Sequence, residues 1–451
     1  MEIIIVGAGI AGLSLALALA RAPGHHRVLV LEAKPALAEL GAGLQLTPPA
    51  TRHLFAWGMR DDLLAASIAP AEMLVRDGRS GAALAAIPTG GMEERYGAPY
   101  LVVHRAVLHG LLRRHAVAAG AELRLGSKVV RYDWAAGAVE LHDGSRVAAD
   151  LVIGADGINS FARRQLLGDT NGSARPTGLA AVRAMAEVAQ IQADPQLASV
   201  ADLETFSSHL WIAPGRSVMA YLIKEAKLFN VVLSHPDDID MSQFTPDEYK
   251  AFAQDLVKDF EPRRGGGADR VRRLVDIALP TMQNFPIHAV PPLPRWTSPS
   301  GRFLLVGDAA HAMSFYLSMG VSLAVEDAAS LAAVLDLVCT PPSPPPATTT
   351  TTDHNKLQKA LRVFEHARKE RVHIVQDASL HGGHVLHEED PAAREMVYAA
   401  LRADGLQDEG MPEATLATES PTYGLADQRV RDWCFAYDPA KYIKECYELM
   451  A

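Results

Sequence analysis

Cysteine is scarce, with only Cys339, Cys434 and Cys446 in 451 residues. An odd, widely spaced set builds no disulfide framework and lacks zinc-ligand spacing, so neither a stapled secreted fold nor a metal site is expected. A reducing, cytoplasmic setting fits that usage. Positive charge is also in deficit: 43 Lys and Arg stand against 53 Asp and Glu, for a formal net charge of −10. Such a surface works against a polyphosphate backbone, and nucleic acid is not an expected partner. Long hydrophobic runs are missing too. The longest, residues 10–20, is interrupted by a glycine and a serine and falls short of the ~20 residues that span a bilayer. A strand-like run begins at Ile3, so no cleaved targeting segment is expected.

Hydrophobic residues, by contrast, make up 49% of the chain and charged residues 21%, which is enough apolar material for a large core. The length exceeds one compact domain, and two or three units are expected. Glu2–Val6 is a short apolar run ended by Gly7, and an Ala- and Leu-rich segment follows to Ala20: strand, tight turn, helix. Pro23-Gly24 ends that helix, and Arg27–Leu31 is a second buried strand, completing a βαβ unit by Glu32. Residues 105–119 read as a helix with Val107, Leu108, Leu111 and Leu112 on one face, and residues 150–154 as another buried strand.

Between residues 178 and 279 the pattern changes to period-two strands with short turns. Residues 207–213, 218–223 and 228–233 read as an antiparallel meander. Thr245-Pro246-Asp247-Glu248 is a capping box that opens a helix placed to cover that sheet, with Phe252, Leu256 and Phe260 on one face. The βα style returns at residues 303–308 and runs into a long helix of small residues ending near Val338. Residues 340–352 are Pro- and Thr-rich and read as a surface linker, and residues 357–379 as a long amphipathic helix.

Gly7-Ala8-Gly9-Ile10-Ala11-Gly12 stands after a strand and opens a helix. Its glycines serve a tight turn (Gly7), backbone approach to a pyrophosphate (Gly9) and close helix-to-strand packing (Gly12). Glu32 lies twenty residues beyond Gly12 at the end of the next strand, where a carboxylate accepts hydrogen bonds from ribose hydroxyls and repels a 2′-phosphate. FAD or NAD is the nucleotide this pattern admits. No second copy occurs, since Gly265-Gly266-Gly267 follows arginines in a polar loop.

Two further motifs identify a family. Residues 150–163 (DLVIGADGINSFAR) resemble the DG motif, and residues 301–311 (GRFLLVGDAAH) the GD motif, of single-component FAD-dependent monooxygenases, the aromatic hydroxylases that include salicylate hydroxylase and many fungal secondary-metabolite enzymes. Residues 41–48 (GAGLQLTP), 104–109 (HRAVLH) and 432–438 (DWCFAYD) match as well, so the likeness covers nearly the whole chain. It implies an α/β fold with a discontinuous Rossmann-type FAD-binding domain (residues 1–70, 100–177 and 280–338). A β-sheet substrate domain (71–99 and 178–279), a linker (339–355) and a C-terminal helical region (356–451) complete the expected layout.

The resemblance also implies roles. Asp308 would bond the ribityl chain. The backbone of Gly320 and Val321, at a helix start, would face the pyrimidine side of the flavin, where amide groups stabilise negative charge. Arg105 would contact the ribityl-phosphate region and Gly43 would line the flavin. Asp156 and Arg163 belong to a motif linked to FAD and to transient NADH or NADPH contact. In related fungal hydroxylases an arginine and a tyrosine on two sheet strands hold a phenolate, and Arg183 and Tyr221 occupy those places. An arginine there lowers the pKa of a bound phenol and pins its oxyanion. His311 is expected to be structural or a flavin-loop contact.

The chain departs from the family at Phe315 and Met319, where proline and glutamine are usual. A phenylalanine adds a bulky ring beside the flavin and lacks the backbone constraint of proline. The expected activity is oxygen insertion from O2, through a flavin C4a-hydroperoxide and with NAD(P)H as reductant. Its substrate would be an aromatic, polyketide-like or alkaloid-like small molecule, hydroxylated or epoxidised by a monomer or homodimer. Phe315 and Met319 keep two alternatives open: a flavin oxidase or dehydrogenase without oxygen insertion, and a non-catalytic flavin-binding protein.

Overall fold

The structure is a computed structural model that describes residues 1–37, 42–197, 200, 204–223, 226–261, 269–278, 282–339, 353–402 and 424–450. The linker read at 340–352 and the glycines at 265–267 lie outside the described residues.

Four near-continuous apolar runs, β1 (Glu2–Val6), β2 (Arg27–Leu31), β11 (Leu151–Gly154) and β17 (Phe303–Leu305), join β7 (Glu122–Arg124) in a five-stranded sheet ordered β17-β11-β1-β2-β7. Its pairs are all parallel. Strands buried on both faces carry no polar alternation, which is why these segments read as solid Ile, Val and Leu. Helices Ile10–Arg21 and Gly320–Cys339 pack against each other on this sheet. A three-stranded sheet, β8 (Val129–Asp133), β9 (Ala138–Leu141) and β10 (Arg146–Ala148), lies between β7 and β11 in the chain.

The second layer is a seven-stranded sheet ordered β16-β12-β15-β14-β13-β4-β5. Its members are β4 (Glu72–Asp77), β5 (Ala83–Pro88), β12 (Arg175–Glu187), β13 (Ser208–Ala213), β14 (Arg216–Ile223), β15 (Leu228–Pro236) and β16 (Gln283–Ala289). β13, β14 and β15 form the antiparallel meander that the period-two pattern implies. The capping box at Thr245 and Glu248 opens helix Pro246–Leu256, whose Phe252 meets His235 of β15 edge-on.

The sequence boundary after residue 279 falls ahead of β16, yet β16 hydrogen-bonds to β12 within this sheet. Gln283, Asn284, Pro286 and His288 break any apolar alternation, and an edge position is where a strand tolerates a proline. A short ribbon, β3 (Gly43–Leu46) paired with β6 (Leu101–His104), lies between the two large sheets.

The helix read at 357–379 is longer, His354–Leu386, and Asp353 caps it by accepting from the Asn355 and Lys356 amides. It is tied to the Gly320–Cys339 helix by a fully buried charge cluster. Arg368 bonds Glu326 and Asp327 at 2.8 Å each, and Arg371 grips both oxygens of Glu326 at 2.8 Å. Arg371 in turn lies 3.7 Å from the Tyr437 ring centroid, which fastens the C-terminal aromatic segment. No helix among the described residues is long and apolar enough to cross a membrane.

Candidate active site

A cavity of about 380 Å³ opens where the two large sheets and the ribbon meet. At one end lies the glycine-rich turn. Gly9, Ile10 and Ala11 line the cavity, no side chain caps their helix, and its first turn carries no acidic residue. The positive end of that helix is therefore directed into the cavity. A Cβ added at Gly9 would meet nothing within 4 Å, so the backbone there is open to a close ligand.

Gly7 and Gly12 do not line the cavity, and shape the turn instead. Gly7 has φ +110, and a Cβ on Gly12 would fall 2.0 Å from the Gly7 carbonyl oxygen. Only glycine fits at either place. Glu32 also stands outside the lining. Its carboxylate accepts the Ala8 amide at 2.9 Å and the Lys34 amide at 2.9 Å, and so braces the turn directly.

At the other end are Asp308, Gly320, Val321, Arg105 and Gly43, all on the cavity wall. The Asp308 carboxylate opens onto the cavity but is surrounded by protein. Burial raises its pKa above the ordinary carboxylate range, against the opposing charges of His311, Arg105 and Arg163. The loop that carries it is held from behind: Asp327 accepts from the Gly307 amide at 2.9 Å and pairs with His311 at 2.7 Å. His311 is thus buried behind the Asp308 loop, against Asp327. Asp327 escaped the sequence reading, although Glu326-Asp327 inside an otherwise apolar helix was a visible signal, since buried acids demand partners.

The DG motif divides. Ala155 and Gly157 line the cavity, while the Asp156 carboxylate points elsewhere, accepting from the Ser160 hydroxyl and from the Ala162 amide at 3.0 Å. Asp156 thereby fastens the start of helix Phe161–Leu167, and the structure does not bring it to the wall. Arg163 is buried and spends its guanidinium on backbone carbonyls of Ile158, Gly172 and Ala309. An arginine whose three nitrogens all donate to carbonyl oxygens is a brace, and here it locks the DG segment against the Asp308 loop.

A further wall of the cavity comes from the seven-stranded sheet. Arg183 on β12 registers with Val232 on β15, and Val232 with Met219 on β14; Tyr221 follows two residues on, so all four face one way. All four line the cavity. The Arg183 Nε is buried without a partner among the described residues, and its guanidinium carbon sits 5.9 Å from the Phe285 ring centroid. Burial pushes the Tyr221 phenol up to about 12, although Arg183 and a hydrogen bond from Gln45 both pull it down. The phenol is a neutral donor at neutral pH.

The two departures from the family pattern differ in placement. Phe315 lines the cavity and packs on Tyr316 at 4.7 Å, whereas Met319 is buried, with its sulfur accepting from Thr47 at 3.4 Å.

An uncapped helix start, an open Gly9 backbone and a carboxylate at the far end of one continuous cavity fit FAD. Comparison with known proteins agrees. A protein-family model described as FAD binding domain matches residues 1–263 and 293–343. The chain is 34% identical to FAD-dependent monooxygenase atnJ of Arthrinium sp over 400 residues, 87% of each protein. It is 33% identical to 3-hydroxybenzoate 6-hydroxylase 1 of Aquipseudomonas alcaligenes over 350 residues, covering 76% of this chain and 82% of that one. The solved Klebsiella pneumoniae HpxO complexed with FAD and uric acid superposes with a TM-score of 0.73 at 26% identity, covering 89% of this chain and 92% of that one. The chain thus belongs to the FAD-dependent monooxygenases of the aromatic-hydroxylase type.

Proposed function

We propose that this enzyme uses NAD(P)H and O2 to insert one oxygen atom into an electron-rich aromatic or related secondary-metabolite substrate, by hydroxylation or epoxidation. One observation carries the reading: Arg183 and Tyr221 open into the same cavity as Gly9 and Asp308. FAD, when bound, supplies the electron store and activates O2. The chain does the rest. Gly9 and the first turn of helix Ile10–Arg21 hold the pyrophosphate, Asp308 and Arg105 the ribityl region, and Gly320 and Val321 the pyrimidine edge. Arg183 draws a phenol into its ionised form and Tyr221 donates a second hydrogen bond to the oxyanion. Met219, Val232 and Phe315 offer apolar walls that exclude water.

The purified protein should be yellow and should oxidise NAD(P)H faster with a phenol, indole or polyketide that fits. Labelled O2 decides the outcome. Label in the organic product supports oxygen insertion; label confined to peroxide or water with an oxidised product overturns it in favour of an oxidase, the reading that the Phe315 ring on the cavity wall favours.

A further inference from the structure

One stripe of the C-terminal helix His354–Leu386 reaches the back of the cavity wall. Ser379, Gly383 and, just past the helix end, His387 stand one turn apart on a single face, and all three are buried. Ser379 spends its whole hydrogen-bonding capacity on the loop at residues 313–319. Its hydroxyl donates to the Ser314 carbonyl at 3.0 Å and accepts from the Ser314 hydroxyl at 3.0 Å and the Leu317 amide at 3.3 Å. That loop turns tightly, with the Ser318 amide donating to the Phe315 carbonyl at 2.9 Å, and it supplies Met313, Ser314, Phe315 and Ser318 to the cavity.

One turn on, Gly383 makes room for Tyr316. A Cβ on Gly383 would fall 2.5 Å from both Cδ2 and Cε2 of that ring, far inside van der Waals contact. Glycine is a poor helix former, and here the missing methyl is what lets the ring lie against the helix. The same ring meets His387 edge-on at 5.4 Å and packs on Phe315 at 4.7 Å. His387 in turn holds β14 and its turn, through the Ser217 hydroxyl at 2.9 Å and the Gly215 amide at 2.9 Å. Arg368 and Arg371 anchor the helix to Glu326 and Asp327. One fixed helix therefore braces both the Phe315 loop and the strand that carries Met219 and Tyr221, and the space between them is set from behind. No residue of that helix is among those that line the cavity.

Resting on the function proposed above, we propose that Gly383 is a positioning residue that, through Tyr316, sets how far the Phe315 ring stands into the cavity and so limits the ring system of the phenolic substrate that the site accepts. The contact chain runs from the helix to Tyr316, from Tyr316 to Phe315, and from Phe315 to the cavity.

The test uses the FAD-loaded full chain and two probes, phenol and the longer 4-phenylphenol, titrated at one pH by flavin difference spectroscopy. Gly383→Ala drives Tyr316 onto Phe315 and is expected to weaken 4-phenylphenol at least ~10-fold more than phenol, about what overpacking by one methyl costs. Tyr316→Ala empties the space behind Phe315 and is expected to move the ratio the other way, in favour of 4-phenylphenol. It carries the test should Gly383→Ala fail to fold. Phe315→Ala added to Gly383→Ala is expected to return 4-phenylphenol binding to the wild-type level or better. A wild-type ratio in both single variants overturns the assignment, as does equal weakening of the two probes, which a merely structural glycine would give. A loss in Gly383→Ala that Phe315→Ala does not relieve overturns it too. Arg183→Ala keeps the two readings apart. Weaker phenol binding in Arg183→Ala with unmoved ratios in the other variants overturns only the role of Gly383. Unchanged phenol binding in Arg183→Ala, with the ratio shifts present, overturns the substrate-holding role of Arg183 and supports that of Gly383. Binding of neither phenol to wild type overturns the function proposal and this one with it.

Discussion

Gly43 and Tyr221 touch across the join between the ribbon and the substrate sheet: a Cβ placed on Gly43 would stand 2.6 Å from Cε2 and 2.8 Å from the hydroxyl of Tyr221. The Gly43 amide simultaneously donates to the buried Asn230 Oδ1 at 2.9 Å. Gly43→Ala must therefore displace the phenol or break that bond. Overpacking of this sort costs roughly 1–3 kcal/mol. We expect a modest fall in melting temperature, retained FAD and at least a ~10-fold loss of turnover, since a misplaced hydrogen-bond donor is costly in a closed site. Steady-state kinetics with a thermal melt checks it; wild-type turnover would show that the contact does not position Tyr221.

Arg183→Ala removes a guanidinium whose buried Nε has no partner among the described residues. Loss of an uncompensated charge does not leave an orphaned carboxylate behind, so stability should change little or improve. Turnover should fall by ~10²-fold or more, as for removal of one charge-stabilising donor from a dry site. Visible absorbance of the flavin and a rate assay read the two effects apart. Equal losses of FAD and of rate would mark the arginine as a cofactor residue instead.

The contrast between these two positions shows what could be read in advance. The glycine turn, β2, the meander and the Thr245 capping box carry strong local signals, because each rests on residues within a few positions of one another. Arg183 and Tyr221 were placed by resemblance, and the register of β12, β15 and β14 brings them to one face. Asp156, Arg163 and Glu32 read as ligand contacts because the sequence gives residue types without directions. In the structure their polar atoms are engaged by neighbouring protein groups, mostly backbone amides and carbonyls. Gln45 and Arg368 were illegible for the opposite reason. Their partners lie from 41 to 273 residues away, and no local pattern encodes such a distance.

Glu326 offers a stability test far from the chemistry. Burial alone would raise its pKa, but Arg371 and Arg368 outweigh that and hold it below the ordinary carboxylate value. A depressed carboxyl contributes stability that is fully present above its unfolded pKa of about 4.3 and is lost as pH falls through the folded value. Glu326→Gln leaves two buried guanidinium groups short of a counter-charge, and breaking such a pair costs about 3–5 kcal/mol. Denaturant titration at neutral pH is expected to show that loss. The difference between variant and wild type should shrink in strong acid, where the native carboxyl is protonated too. A variant as stable as wild type at neutral pH would mean that Asp327 alone balances both arginines.

Three histidines set a separate acid window. His26, His53 and His387 are each held down to about 4 by burial, with added repulsion from neighbouring positive groups. Among the described residues, neither ring nitrogen of His26 nor the Nε2 of His53 has a partner, while the His387 Nε2 meets the Ser217 hydroxyl at 2.9 Å. The folded state therefore carries neutral rings, whereas the unfolded chain takes up protons near pH 6.5. Between about pH 6.5 and 4 the unfolded state binds more protons, so stability must fall as pH falls, by at most ~1.4 kcal/mol per pH unit for each histidine. This window lies above that of Glu326, which separates the two effects. His53→Leu removes one titrating ring beside Trp57 and is expected to flatten the slope by less than a third, since burial lowers His373 as well. Denaturation midpoints of the FAD-loaded protein measured from pH 7 to pH 5 read that slope. An identical slope in His53→Leu would place the proton uptake at other groups.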